Sequence, residues 1–130
     1  MAARELPVDE ARKLRSSVAA RALDSSDLER ARRIYEALGA DDPADREVWE
    51  PLASVYRKLG ATAELVELIE RTVPLVAERD DRVQLRLEQA EILLLEGKAR
   101  GATTILEEVL EEDPSQRRAA DRLLAILEQE

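Results

Sequence analysis

EVWEPLASVYRKLG, residues 47–60, is the stretch that decides the fold. It holds Trp49, the chain's one tryptophan, and Tyr56, one of two tyrosines. Trp49, Leu52, Ala53 and Tyr56 fall at i, i+3, i+4 and i+7, which is one face of an α-helix. Glu47, Glu50, Ser54 and Arg57 share helical spacing on another face. Pro51 lies between these residues and has no N–H to give the carbonyl of Glu47. A helix beginning at Arg46 would lose that bond and bend. A start at Glu47 or Val48 would leave Pro51 in the first turn at little cost. A late or distorted start is therefore expected.

Outward from this stretch, 130 residues suffice for one domain with its own core. Ala, Leu, Glu and Arg dominate and phenylalanine is absent, so an all-α chain is expected. There is no cysteine and no histidine, which removes thiolate chemistry, most zinc and iron sites, and the usual general base near neutral pH. A formal charge of −9 makes nucleic acid and anionic membranes poor partners. Met1–Leu14 has no apolar run of the kind a signal peptide needs, and no segment approaches membrane-spanning length. The expectation is a soluble cytoplasmic protein. The excess of arginine over lysine points to a GC-rich bacterial genome.

Turn and cap residues divide the chain into seven expected helices. The first spans about Asp9–Leu23. The second follows a capping box of Ser26 and Glu29 and ends at Gly39 as a left-handed residue. The third is the opening stretch, ending at Gly60. The fourth runs from Thr62 to about Glu78, with Pro74 kinking it. The fifth begins after Asp81, boxed by Gln84, and ends at Gly97. The sixth covers Ala99–Glu112, and the seventh runs from a Ser115 cap to the C-terminus. Connections this short place neighbouring helices antiparallel.

Beneath the helices lies a repeat. Ala19, Ala53, Ala90 and Leu124 are spaced by 34, 37 and 34 residues. Ala31, Tyr35, Leu38 and Pro43 align with Leu65, Ile69, Thr72 and Ala77, then with Ala102, Leu106, Val109 and Pro114. With Trp49-x2-Leu52-Ala53-x2-Tyr56 in the first helix of a unit, the chain resembles a tetratricopeptide repeat protein, whose units recur about every 34 residues. Units at 12–45, 46–82 and 83–116 and a terminal helix at 117–130 cover nearly the whole chain as a single domain. Arg15, Ala22, Arg86 and Gln89 depart from the pattern. The middle unit is three residues too long, and an overrun of its second helix near Glu78–Arg82 is expected. The fold implied is an α-solenoid of three antiparallel helix pairs and a final helix, in a right-handed superhelix.

That resemblance implies a groove lined by the first helix of each unit. The groove stripe would be Lys13, Ser16 and Ala20; then Glu47, Glu50, Ser54 and Arg57; then Gln84, Leu87, Glu91 and Leu94. One tetratricopeptide subfamily clamps C-terminal carboxylates with Lys and Asn in such a groove. Here those positions hold Ser16, Ala20, Glu50, Ser54, Leu87 and Glu91, so the clamp is absent. Glutamates suit a basic or amphipathic segment of a protein partner. The packing face of Trp49 and Tyr56 is expected in the core. The acidic run Glu107, Glu108, Glu111, Glu112 and Asp113 reads as a solvated face, and no enzyme activity or cofactor is expected. The apolar arc of the last helix, Ala119, Ala120, Leu123, Leu124, Ile126 and Leu127, is wide for a cap and could serve self-association. The function expected is a protein-interaction module for a peptide or helix. A segment of a longer scaffold and a small dimeric secretion-type chaperone are the alternatives.

Overall fold

A computed structural model describes residues 7–129 of the chain, so Glu130 at the end of the expected last helix lies outside the described residues, as do the first six. The described residues form α1 (Val8–Asp24), α2 (Leu28–Asp41), α3 (Arg46–Leu59), α4 (Thr62–Thr72), α5 (Arg79–Leu95), α6 (Ala99–Glu112) and α7 (Arg117–Glu128), with no strand among them. Two compact units divide within α4, between Leu68 and Ile69.

One backbone motif ends α1, α3 and α5. Ser26 (φ 63°), Gly60 (φ 69°) and Gly97 (φ 75°) all adopt the left-handed conformation. In each case two N–H groups turn back onto the last carbonyls: Asp27 to Ala22 (2.8 Å) and Ser26 to Leu23 (3.1 Å) after α1. Ala61 to Tyr56 (2.9 Å) and Gly60 to Arg57 (3.2 Å) repeat this after α3, as do Lys98 to Leu93 (2.8 Å) and Gly97 to Leu94 (3.1 Å) after α5. This is the Schellman arrangement, recurring with the spacing of the repeat. It corrects two expectations. Ser26 closes α1 rather than capping α2, whose N-cap is Asp27 with no side-chain bond. Gly39 lies inside α2, which runs on to Asp41.

What stops α2 and α6 is proline. Asp42 and Asp113 precede Pro43 and Pro114, and ring sterics push both out of the helical region, to φ −144°, ψ 83° and φ −137°, ψ 87°. A turn follows in which the Asp45 N–H bonds the Asp42 carbonyl (3.3 Å) and the Gln116 N–H bonds that of Asp113 (3.1 Å). Asp45 then caps α3, accepting from the Glu47 N–H at 3.0 Å. Gln116 caps α7, accepting from Arg118 at 3.3 Å. Ser115 is therefore not the cap. With Pro114 second in the turn, Ser115 is third, and its hydroxyl donates to the Asp113 carboxylate at 2.8 Å. The well-capped start also means that α3 begins at Arg46, with Pro51 inside it rather than in its first turn.

The fourth helix is shorter than expected. Instead of kinking at Pro74 and overrunning, α4 stops at Thr72, and Pro74 sits in a single 3-10 turn, Val73–Leu75. Extended backbone at Val76 and Glu78 leads into α5, which starts at Arg79, before the expected box at Asp81 and Gln84. The extra residues thus lengthen α5 to 17 residues, against 14 in α3. Arg82 holds the extended segment. Its guanidinium donates to the carbonyls of Val76 (2.9 Å) and Ala77 (2.7 Å) and to Glu112 of α6 (2.6 Å).

In the first unit α1 packs on α2, and α3 packs on both. Its core holds Ala19, Ala31, Tyr35, Leu38, Val48, Trp49, Leu52, Ala53, Val55 and Tyr56. In the second unit α6 lies between α5 and α7 around Val83, Leu87, Ala90, Ala102, Leu106, Val109 and Ala119. Alanine at 19, 53 and 90 is 0–1 % exposed, so nothing larger fits without displacing a neighbour. Each fully buried leucine contributes about 1.5–3 kcal/mol. Burial also raises the pKa of the Tyr35 phenol above its ordinary 10.0, and the negative charge of Asp24 adds to the effect.

Candidate functional site

The side chains that the packing faces leave over come together in the first unit. Lys13 and Glu47 are exposed, Ser16 is half-buried, and all three line a depression of about 530 Å³ with Asp9, Arg12 and Asp45. Its floor is apolar, formed by Leu38 and Val48. A second depression, about 570 Å³, is lined by Leu23, Arg46, Glu47, Glu50, Pro51, Ser54 and Arg57. Glu47 borders both. Asp45, which caps α3 through one oxygen, receives Arg12 of α1 on the other at 3.2 Å, and Arg12 also reaches Asp42 at 3.4 Å. That ion pair ties α1 to the turn before α3, and both of its residues line the first depression.

Charges on this face are partly spent internally. Arg46 pairs with Glu50 at 2.6 Å across one helical turn. Glu47 has no ion-pair or hydrogen-bond partner for its carboxylate among the described residues.

The residues expected on the groove in the second unit are arranged differently. Gln84 is exposed on α5. Glu91 is half-buried and bonded to Arg122 of α7 at 2.6 Å. Leu87 is 2 % exposed in the core cluster and offers no surface to a ligand, and Leu94 packs partly against the same cluster. α5 spends these apolar positions on the cluster that it shares with α6.

Sequence reasoning missed Arg12 and Arg82, whose roles depend on turn geometry rather than on helical spacing. It also left Arg86 unexplained at the usual Trp position. Arg86 bonds Glu108 of α6 at 3.3 Å, and Gln89 bonds Glu70 at 3.4 Å, so ionic and polar pairs stand where the pattern has apolar ones. Two members of the acidic run, Glu108 and Glu112, are thus paired with arginines of α5. Among the described residues no group of three or more ligating side chains could hold a metal ion, and no helix is long and apolar enough to cross a membrane.

No protein-family model matches the chain, and no curated protein matches it in sequence. Solved structures do match it. The type III secretion translocator chaperone SycD of Yersinia enterocolitica, in an alternative dimer, is 21 % identical with a TM-score of 0.68, over 98 % of this chain and 99 % of that one. SycD in complex with a peptide of the translocator YopD is 20 % identical with a TM-score of 0.71, over 98 % and 100 %. The N-terminal domain of stress-induced protein-1 from C. elegans is 15 % identical with a TM-score of 0.76, over 94 % and 98 %. At these identities the likeness is one of fold: the chain is all-α and tetratricopeptide-like.

Proposed function

We propose that the chain is a protein–protein interaction module that takes a peptide or helix of a partner along the α1–α3 face of its first unit. The observation behind this is the meeting of Lys13 and Ser16 with Glu47, Glu50, Ser54 and Arg57 around two depressions that share Glu47. Residues 34 apart in sequence converge because the repeat stacks equivalent faces. The fold likeness to SycD, which has been solved with a bound peptide, supports the same kind of partner. A basic or amphipathic protein segment suits the acidic chain, and nucleic acid and membrane do not. No catalytic role is assigned, no cofactor is invoked, and a cytoplasmic, bacterial setting completes the proposal.

Peptides selected from a random display library against the full chain test it. Amide chemical-shift mapping is expected to move Lys13, Ser16, Glu50 and Ser54. Shifts confined to the second unit would overturn the assignment.

A second proposal, a dimeric secretion-type chaperone, draws on the near-complete mutual coverage with SycD. It also draws on α7, where Leu124 and Leu127 are 57 % and 56 % exposed.

A further inference from the structure

Among the groove glutamates Glu47 is electrostatically unlike the others. Glu50 is paired with Arg46 and Glu91 with Arg122, each at 2.6 Å. The Glu47 carboxylate is exposed and unpaired among the described residues, even though Lys13 lines the same depression. Its main chain is unusual too. In an α-helix the carbonyl of residue 47 accepts from the N–H of residue 51, and residue 51 is proline. Glu47 therefore presents a charged carboxylate with no donor among the described residues and a carbonyl that lacks its helical donor. Pro51 and Ser54 line the second depression, and Glu47 borders both. A proline this far into a helix costs stability, and here it removes the helical donor of a residue that lines both depressions.

We propose that Glu47 is the specificity-determining residue of this face, taking a basic side chain of the partner segment, with Pro51 keeping its carbonyl open. A protonated lysine or arginine carries both the charge and the multiple N–H donors that such a pair of acceptors calls for. Glu50, already neutralised by Arg46, contributes far less. This assignment rests on the α1–α3 face being the binding face.

The test uses the full chain and synthetic copies of display-selected peptides, with affinity read by fluorescence anisotropy and folding checked by circular dichroism. Glu47→Gln is expected to weaken binding about tenfold or more, the difference a charged hydrogen-bond partner makes. Replacing the basic residue of the peptide by alanine is expected to cost the same, and the two changes together little more than either. Glu50→Gln is expected to change affinity less than about threefold, as for an exposed ion pair. Pro51→Ala restores the helical donor, so it should weaken binding while raising the melting temperature. If Glu47→Gln leaves affinity unchanged while shifts still map to α1 and α3, the Glu47 assignment fails and the binding face stands. If the shifts lie elsewhere, or no peptide is selected, the face itself fails and this proposal with it. Unchanged affinity in Pro51→Ala removes the role of the carbonyl.

Discussion

Trp49, the chain's one tryptophan, sits 7 % exposed in the core of the first unit, on one helical face with Leu52, Ala53 and Tyr56. It is there as volume. Trp49→Ala should cost about 3–5 kcal/mol, measured by urea denaturation followed by circular dichroism. A nearly unchanged midpoint together with lost peptide binding would instead make Trp49 a ligand anchor. Tyr35 lends itself to a pH test. Its folded pKa is raised by burial and by Asp24, so the buried neutral phenol stabilises the fold fully below the unfolded value near 10. That contribution is lost as pH rises from there through the folded pKa. Tyr35→Phe keeps the ring and removes the ionisation. The urea midpoints of variant and parent should therefore diverge above about pH 10 in favour of the variant, and a constant difference from pH 8 to 11 would contradict this. The burial of Trp49 was legible because one stretch repeats its spacing. The partner of Arg82 was not, since its acceptors, Val76 and Ala77, are carbonyls exposed by a turn.

The elements owe their ends to two short motifs, the left-handed turn at 26, 60 and 97 and the Asp-Pro turn at 42 and 113. Serine in the left-handed region carries a backbone cost of about 1–2 kcal/mol that glycine avoids. Ser26→Gly should therefore stabilise the chain by about 1 kcal/mol, and Gly97→Ala should destabilise it by a similar amount, both read from thermal unfolding. A Cβ at 97 would meet nothing within 4 Å, so that cost is purely conformational. Equal melting temperatures for Gly97→Ala and parent would argue against the turn. Gly60 and Gly97 announce themselves in sequence. Ser26 does not, because Ser-x-x-Glu is also a helix start, and only the bond from Asp27 to Ala22 shows which role wins. Gly39 misleads for the converse reason: the proline at 43, not the glycine, ends α2.

At the scale of the whole molecule the feature that bears on assembly is the apolar face of α7. Ala119 is fully buried and Leu123 and Ile126 pack partly on the second unit's core, while Leu124 and Leu127 stay more than half exposed. The chain is expected to self-associate through this face. Size-exclusion chromatography with light scattering should show a species above monomer mass that Leu124→Glu/Leu127→Glu returns to monomer. A strict monomer at high concentration would count against it. Period, helix content and the packing stripes were set by the sequence alone, because an apolar residue recurring every three or four positions can be buried only as one face of a helix. Which glutamate stays unpaired, which leucine is core rather than groove, and where α4 stops were decided by the tertiary structure. Those outcomes depend on which donors and carbonyls are brought within about 3 Å by turns and neighbouring helices, and hydrogen bonds and ion pairs are formed only at that range.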